Sequence, residues 1–485
     1  MPVSAAQGRQ AVEHVEVRRG EYHDSVTLMM AGRAVATVPG VSRALVAMGT
    51  DVNRTLLADL GHPAPAAGPA DLVIAFTAPD RPTETAALEA LATALTPAVP
   101  TAGNTPPGLP HPRTTGAALS RTGAVLTLIS TPGLAAVPEA MESLQYGASV
   151  VIFSDNVPVH HEIRLKDEAG RRGLLVMGPD CGTVVLHGTG LGFTNVTRPG
   201  PVSLVAASGT GAQHLMSLLD AAGAGIRHCL GVGGRDLTED VAGRSTHAAL
   251  DALAADDETE LIAVVSKPPH PSVARSIEDH AARLPKPVQL AFLGPGRPTL
   301  TQTAETILAA LGRRPPAAWP SWPAAAPATA EPKSAAGRGR TIRGLFSGGT
   351  LCAEAEAVLT GTPCAIDLTD FGDDAYTRGR PHPMIDNTVR LRAFAEAAED
   401  PEVGVVLLDV VLGRGAHADP AGELASAVRR CGAPVVVSLC GTAGDPQGLE
   451  HQARAFAEAG ASVYLSNAEA ATAAARLAAQ SEGSL

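Results

Sequence analysis

Two short loops rich in Ser, Gly and Thr each follow an apolar run and precede a helical pattern. They are Ser208-Gly209-Thr210-Gly211 in 201-PVSLVAASGTGAQHLMSLLD-220 and Ser347-Gly348-Gly349-Thr350 in 342-IRGLFSGGTLCAEAEAVL-359. A helix start leaves backbone N–H groups without intrahelical partners and carries a positive partial charge. Small residues let an anion approach those groups, so we predict that both loops bind an anion, either phosphate or carboxylate. A single loop of this kind is more often a plain turn of an α/β sheet, but its recurrence favours anion binding.

The densest polar cluster of the chain, residues 366–390, could clamp an anionic substrate. We predict that Arg378, Arg380 and His382 are its catalytic residues. The planar fork of an arginine matches a carboxylate, and a histidine can move a proton. Pro381 and Pro383 fix the backbone on either side of the histidine. The alternative is an exposed surface loop held by salt bridges.

Further polar residues follow predicted strands, at the edge where open α/β sheets bind ligands. The auxiliary candidates are Arg235, Asp236, Lys267 and Asp180. Cys181 could be a nucleophile, but no histidine lies in a recognisable partner motif, so a small buried thiol is favoured. The six cysteines form no C-x-x-C pair and the histidines show no ligand spacing, so no metal site is predicted.

Strands alternate with helices along most of the chain, which predicts an α/β fold of three Rossmann- or flavodoxin-like, doubly wound parallel-sheet domains. The predicted organisation is a Rossmann domain at 1–197, an α/β domain at 198–312, a Pro/Ala linker at 313–340 and a second α/β domain at 341–485. Within the first domain, residues 96–118 are an exposed loop, and residues 1–20 are frayed or a short edge segment. The two α/β domains look like a distant internal repeat, each led by a glycine loop.

Composition narrows the classes of partner. The chain has 485 residues, 45% of them hydrophobic, and a net charge of −12 without a long basic run. This argues against nucleic-acid and anionic-membrane partners, and small anions must be bound by local Arg, Lys and backbone groups. No signal-like N-terminus and no apolar run of ~18 residues is present, so we expect a cytoplasmic protein.

Seven sequence runs, in order, resemble those of FdrA proteins: IFSDNVP, GLLVMGPDCGT, ASGTG, GGRDL, VSKPP, SGGTLC and YTRGRPHPMID. The resemblance extends from about residue 20 to the end. FdrA proteins are similar to succinyl-CoA synthetase, which implies a CoA-binding domain at 20–190 and ligase domains at about 200–312 and 341–485. In the synthetases two helices point their N-termini at a phosphohistidine, and the two glycine loops lie where those helices should start.

The chain departs from the synthetases in three respects. No Gly-His-Ala-Gly run occurs, since the corresponding stretch reads 292-FLGPGRPTLTQTAET-306. The glutamate that partners the phosphohistidine falls near Ser266-Lys267, so that a cation stands in its place. No ATP-grasp domain is recognisable in the sequence.

FdrA-type proteins are linked to allantoin breakdown and to oxamate carbamoyltransferase, acting with companion subunits encoded nearby. The resemblance therefore implies that oxalurate and phosphate exchange with oxamate and carbamoyl phosphate. The glycine loops would hold phosphate, and Arg378, Arg380 and His382 would hold the carboxylate or carbamoyl oxygen. Two alternatives remain: an acyl-CoA synthetase that uses a partner's ATP-grasp subunit, and a non-catalytic scaffold. CoA is a candidate cofactor, and small anions, companion subunits and an oligomer are expected.

Overall fold

The structure, a computed structural model, describes residues 11–23, 25–63, 65–96, 112–131, 133–325, 338–377 and 381–480. The described residues form two compact units, residues 11–96 and residues 112–377 with 382–480. Each unit has its own sheets and its own buried cores. Within the described part of the chain, every helix is too short or too polar to cross a membrane.

The first unit is a three-stranded antiparallel sheet covered by helices. Its elements are β1 (Val12–Arg18), α1 (Ser25–Ala36), β2 (Ser42–Met48), α2 (Asp51–Asp59), β3 (Leu72–Ala78) and α3 (Arg81–Leu95). The central strand β3 pairs antiparallel with both β1 and β2. All of β3 is buried, because alternate side chains pack on α1 and α3 or on the opposite face beside α2.

This unit corrects the prediction of one parallel Rossmann domain over 1–197. Residues 12–78 form an antiparallel sheet of their own. The helices and most strands were predicted at these positions, but local patterns do not fix which strands pair or in which direction. The run Val12–Arg18, expected to be frayed or an edge segment, is the edge strand β1. The predicted loop at 96–118 lies mostly outside the described residues, and its end enters a helix from Thr115.

The second unit begins with a small parallel sheet in the order β4-β5-β6. Its elements are α4 (Thr115–Thr122), β4 (Leu126–Ile129), α5 (Gly133–Gln145), β5 (Ser149–Ile152), α6 (Val159–Arg172) and β6 (Val176–Met177). The alternation of short apolar strands and helices predicted here is confirmed, since a parallel pair needs a crossover helix between its strands.

A six-stranded sheet follows, in the order β12-β11-β9-β10-β7-β8. Its elements are β7 (Thr183–Leu186), β8 (Thr189–Gly192), β9 (Val202–Ala206), α7 (Gly209–Ala221), β10 (Ile226–Gly231), α8 (Arg244–Ala254), β11 (Leu261–Ser266), α9 (Pro271–Ala281), β12 (Val288–Phe292) and α10 (Leu300–Ala310). Strands β9 to β12 are parallel. The hairpin β7-β8 extends the sheet antiparallel, and sequence analysis missed it.

The last sheet has the order β13-β18-β17-β16-β14-β15. Its elements are β13 (Ser321–Trp322), β14 (Thr341–Phe346), α11 (Gly349–Leu359), β15 (Ala365–Asp370), α12 (Asp374–Thr377), α13 (Thr388–Glu399), β16 (Val403–Val411), α14 (Pro420–Arg430), β17 (Val435–Cys440), α15 (Leu449–Glu458), β18 (Ala461–Tyr464) and α16 (Asn467–Ala479). Strands β14 to β18 are parallel, and β13, from the predicted linker, pairs antiparallel with β18.

The two six-stranded sheets share a topology, which agrees with the predicted internal repeat. Each leading strand, β9 or β14, lies between the next two strands in the chain, β10 and β11 or β15 and β16. Each leading strand then passes through a glycine loop into a helix, α7 or α11. Ligands of such sheets bind at the carboxyl ends of the strands, where both loops lie.

Candidate functional site

The two glycine loops meet. Ser208 is the N-cap of α7, and its hydroxyl accepts a hydrogen bond from Gly211 N at 3.1 Å. The same hydroxyl is hydrogen-bonded to the hydroxyl of Thr350 at the start of α11. Residues separated by more than a hundred positions therefore lie side by side, and the two helix N-termini converge within one chain, a point that the sequence left open.

Glycine is required on both sides of this contact. A Cβ on Gly348 would lie 2.9 Å from the side chain of Thr210. A Cβ on Gly211 would lie 2.8 Å from Cγ2 of Thr350. The threonine of each loop thus lies against a glycine of the other loop. It is so close that a Cβ on that glycine would be nearer to the threonine side chain than real Cβ contacts allow. We call this arrangement the threonine–glycine interlock.

Several N–H groups at the two helix starts have no acceptor among the residues that the structure describes. Within the part of the chain that the structure describes, none is found for the N–H groups of Gly209, Thr210, Gly349 and Thr350. Gly209 is exposed and Gly349 half-buried, so a small molecule can reach both. Open N–H groups and two positive helix ends favour an anion here.

Three side chains from separate elements lie beside the start of α11. Lys267, exposed at the end of β11, places Nζ 2.6 Å from the position that a Cβ of Gly349 would take, and the carboxylate of Asp370 is also beside that position. Nε2 of His382 and Oδ1 of Asp370 lie 2.9 and 3.1 Å from the Cβ position of Gly372. The structure therefore brings the predicted Lys267 and His382 together with Asp370, which sequence analysis had placed only within the polar cluster.

His382 is a neutral hydrogen-bond donor in this setting. Its Nδ1 accepts from the backbone N–H of Met384 at 3.2 Å, which leaves the ring proton on Nε2. Burial, with the nearby positive charge of Arg390, lowers the pKa of His382 to about 4. Burial also raises the pKa of Asp370. At neutral pH the histidine can donate from Nε2 but supplies no positive charge.

Sequence analysis missed a buried carboxylate beneath the second loop. Asp409, in the fully buried strand β16, accepts from Ser347 N at 2.7 Å and from Gly348 N at 2.8 Å. It also accepts from the Ser347 hydroxyl at 2.8 Å and from Arg390 Nη1 at 2.8 Å. Burial raises the pKa of Asp409, while Arg390 and the loop donors oppose that shift. A single aspartate inside an apolar strand was the available signal, because a buried charge needs partners.

Three auxiliary candidates lie in other surroundings. Arg235 is paired with Glu162 at 2.9 Å, and Asp236 accepts from the buried amine of Lys166 at 2.7 Å. These contacts join α6 to the turn after β10 rather than to the helix starts. Asp180 lies in the turn after β6 with a positive φ of 57°. Its neighbour Cys181 is buried, and burial raises its pKa to about 12, so it remains a thiol. Arg378 and Arg380 lie outside the described residues.

A surface cavity of 420 Å³ lies away from this chemistry. It is at the amino edge of the first six-stranded sheet, where Pro201 and Glu260 precede their strands and Arg227 and Arg313 line the wall. Among the predicted site residues that the structure describes, none lines it. The convergent helix starts at the carboxyl edge remain the candidate site.

Two family models match the chain. The model described as CoA-ligase matches residues 345–477, which include the second glycine loop. The model described as the AllF heavy metal-associated domain matches residues 11–106, essentially the first unit. Residues 1–180 contain no cysteine, and the described residues contain no cluster of His, Cys, Asp or Glu that could hold a metal. The first unit therefore lacks the thiolate ligands that soft metal ions favour.

Relatives with ligase names cover only part of the chain. The succinate–CoA ligase [ADP-forming] α subunit of Methanothermobacter thermautotrophicus is 32% identical over 23% of this chain and 39% of its own length. The corresponding α-2 subunit of Trichomonas vaginalis is 28% identical over 34% of this chain and 54% of its own length. The chain thus spans about half or less of these relatives.

Among solved structures, the dinucleotide-forming acetyl-coenzyme A synthetase 1 of Ca. Korarchaeum cryptofilum is similar over 79% of this chain and 88% of its own, with 14% identity and a TM-score of 0.32. A score of that size supports no argument about function.

One of the relatives matches nearly the whole length of the chain. The protein YahF of Escherichia coli (strain K12) is 34% identical to this chain over 92% of this chain and 95% of its own length. With the CoA-ligase match and the succinyl-CoA synthetase-like α/β fold, this likeness agrees with the motifs first noted in the sequence. The chain belongs to the FdrA family, as YahF does.

Proposed function

We propose that the chain is a subunit of an acyl-CoA synthetase, which joins a carboxylate to CoA with an ATP-grasp subunit as its partner. It holds the phosphate of an acyl phosphate at the convergent starts of α7 and α11. The observation that carries this proposal is that the N–H groups of Gly209, Thr210, Gly349 and Thr350 have no acceptor within the described ranges. The CoA-ligase match and the succinate–CoA ligase relatives support the same reaction class.

The proposed step is attack of the CoA thiolate on the acyl carbon. A C–S bond forms, the C–O bond to phosphate breaks, and inorganic phosphate leaves with the bonding electrons. The helix starts and Lys267 stabilise the negative charge that grows on the leaving phosphate, as preorganised donors do elsewhere. His382 donates from Nε2 to an oxygen of the reacting group.

Acyl phosphate is proposed in place of a phosphohistidine relay. Residues 292–306 contain no histidine. Lys267 lies beside Gly349, where the resemblance to the synthetases would put a glutamate. A cation there suits a bound phosphate better than it suits orienting a histidine.

Carbamoyl transfer is the second candidate. It is favoured by the same two observations, the absence of a histidine from residues 292–306 and the position of Lys267 beside Gly349. Exchange of oxalurate and phosphate with oxamate and carbamoyl phosphate needs neither a phosphohistidine nor ATP. The helix starts and Lys267 would hold the phosphate, and His382 would donate to the carbamoyl oxygen. Arg378 and Arg380 remain the proposed carboxylate ligands of this candidate.

The two candidates separate in one assay of the chain with its companion subunits. The ligase predicts ADP formation that requires both CoA and a carboxylate. Carbamoyl transfer predicts carbamoyl phosphate from oxalurate and phosphate without ATP or CoA. Absence of turnover in both reactions would contradict both and leave a scaffold.

Lys267→Gln tests the shared site in whichever reaction proceeds. We expect kcat/KM to fall by about 100-fold, because a cation at the leaving phosphate is removed. Arg454→Gln is the control, since Arg454 is exposed on α15 and pairs only with Glu450 among the described residues. Unchanged kcat/KM in Lys267→Gln would contradict the site.

A further inference from the structure

The two glycine loops share a sequence pattern, but only the second loop contacts a buried carboxylate. Asp409 binds the second loop through Ser347 N, the Ser347 hydroxyl and Gly348 N, at 2.7 to 2.8 Å. Ser347 and Gly348, which donate to Asp409, are both buried. These N–H groups already have an anionic acceptor, which is the role that an external phosphate was predicted to fill.

Asp409 is itself held by a buried network. Arg390 donates to both the side chain and the backbone carbonyl of Asp409, each at 2.8 Å. Arg390 also donates to Oδ1 of Asn387 at 2.9 Å. Asn387 then donates to Glu423 at 2.9 Å, and Glu423 pairs with His417 at 2.9 Å. The carboxylate is therefore fixed from α13 and α14 and cannot be exchanged for a ligand without breaking these contacts.

In the described part of the chain, the first loop has no counterpart of this carboxylate. Within the described residues, no acidic side chain accepts from Ser208, Gly209 or Thr210. The leading strands β9 and β14 both pair with the strand two further along the chain, β11 and β16. β11 reads Leu261–Ser266 without an acidic residue, whereas β16 carries Asp409. The repeat has thus diverged at the position that decides the charge under each loop.

We propose that Asp409 is the resident anion of the second loop, and that Ser347 and Gly348 do not bind the substrate phosphate. Asp409 and Arg390 are positioning residues, which fix the start of α11 against the start of α7. The substrate phosphate then depends on the N–H groups of Gly209 and Thr210 in the first loop, and in the second loop only on those of Gly349 and Thr350, which Asp409 does not bind. This inference rests on the proposed function, which places a phosphate at the convergent helix starts.

Titration of the full chain with inorganic phosphate tests the assignment. Gly209→Pro removes one open N–H at the first position of α7, where proline is tolerated. Ser208 before it is extended, with φ −153° and ψ 118°, which suits a residue preceding proline. We expect Kd to rise about tenfold, since a hydrogen bond to a charged group is lost. Ser347→Ala, in the second loop, should change Kd by less than about twofold, because only the contact to Asp409 is lost.

The outcomes separate the inference from the proposed function. Phosphate binding by the native chain that is weakened by Ser347→Ala but not by Gly209→Pro overturns the inference alone. Equal weakening by both variants also overturns it. No phosphate binding by the native chain contradicts the phosphate site of the proposed function and the inference with it.

Asp409→Asn tests the positioning role against a structural one. It puts an amide donor opposite N–H donors, so both Tm and the phosphate affinity should fall, the affinity by about fivefold or more. Asp445→Asn is the control, because Asp445 is a buried carboxylate that accepts from Val196 N at 2.7 Å and Thr442 N at 2.8 Å. It should lower Tm and leave Kd unchanged. The same Kd in both variants and the native chain would make Asp409 merely structural.

Discussion

At the scale of single residues, the threonine–glycine interlock leaves no room for a side chain on Gly348. Gly348→Ala would put a Cβ 2.9 Å from three side-chain atoms of Thr210. We expect the free energy of unfolding to fall by about 1–3 kcal/mol, the usual cost of overpacking. Urea unfolding measures it. Gly170→Ala is the control, because nothing lies within 4 Å of its Cβ position in α6, and it should be neutral or stabilising by up to about 1 kcal/mol. Equal stability of Gly348→Ala and the native chain would show that the loops can separate.

The helix starts at the two loops could be predicted from the sequence, but the buried carboxylate beneath the second loop could not. The Ser-Gly-Thr patterns correctly marked two helix starts, but not that they meet within one chain. Asp409 lies more than fifty residues from the loop that it neutralises, and only the pairing of β14 with β16 brings them together. Because such partners come from tertiary contacts, the run 403-VGVVLLDVV-411 indicated a buried strand without indicating what its aspartate binds.

At the scale of elements, His214 ties α7 to the start of α16. Its Nε2 accepts from Asn467 N at 3.3 Å, and Asn467 also donates to the buried Glu354 at 2.8 Å. Burial lowers the pKa of His214 from 6.5 to about 3. In the unfolded chain the imidazole regains its ordinary pKa, so the unfolded state binds the additional proton between these values.

The lowered pKa of His214 makes the free energy of unfolding depend on pH. The unfolding free energy should fall as pH drops below about 6.5, by at most about 1.4 kcal/mol per pH unit from this group. His214→Gln keeps an acceptor for Asn467 but does not titrate, so its unfolding free energy should depend less on pH. Urea unfolding of both proteins at pH 7, 6 and 5 measures the difference between their pH profiles. Any contribution from Glu354 cancels, because both proteins contain it. Parallel pH profiles would contradict a buried neutral His214.

The sequence predicted the strands and helices of the two ligase-like sheets well, because their apolar runs are long and separated by clear helical patterns. It missed β7, β8 and β13, which pair antiparallel at sheet edges over two to four residues. Strands this short carry too little periodicity to be recognised, and their pairing is set by distant neighbours.

At the scale of the whole molecule, the first unit is distinct from the rest in fold, because its sheet is antiparallel. Its match to a heavy metal-associated domain is not accompanied by thiolate ligands, since residues 1–180 contain no cysteine. A metal that binds the folded state stabilises it by mass action, so its removal lowers Tm. If the first unit holds no metal, exhaustive treatment with EDTA should leave Tm unchanged within about 1 °C. The control is re-addition of Zn²⁺, which should also have no effect. A fall in Tm with EDTA that Zn²⁺ reverses would contradict this account.

The domain plan was predicted less well than its parts. The repeat at 198–312 and 341–485 is visible in the sequence because each copy starts with the same strand, loop and helix. The first unit was merged with its neighbour because β2, α2 and β3 each resemble pieces of a Rossmann domain, and the antiparallel pairing of β3 with both β1 and β2 depends on contacts between distant residues.

The convergent helix starts belong to one covalent chain, with Ser208 and Thr350 in contact. Linking two halves makes their meeting an intramolecular event, governed by an effective concentration rather than by the amount of protein present. Dilution that would separate two associating subunits leaves these two halves equally available to each other. A cell that holds few copies of this chain therefore keeps every copy's pair of helix starts assembled.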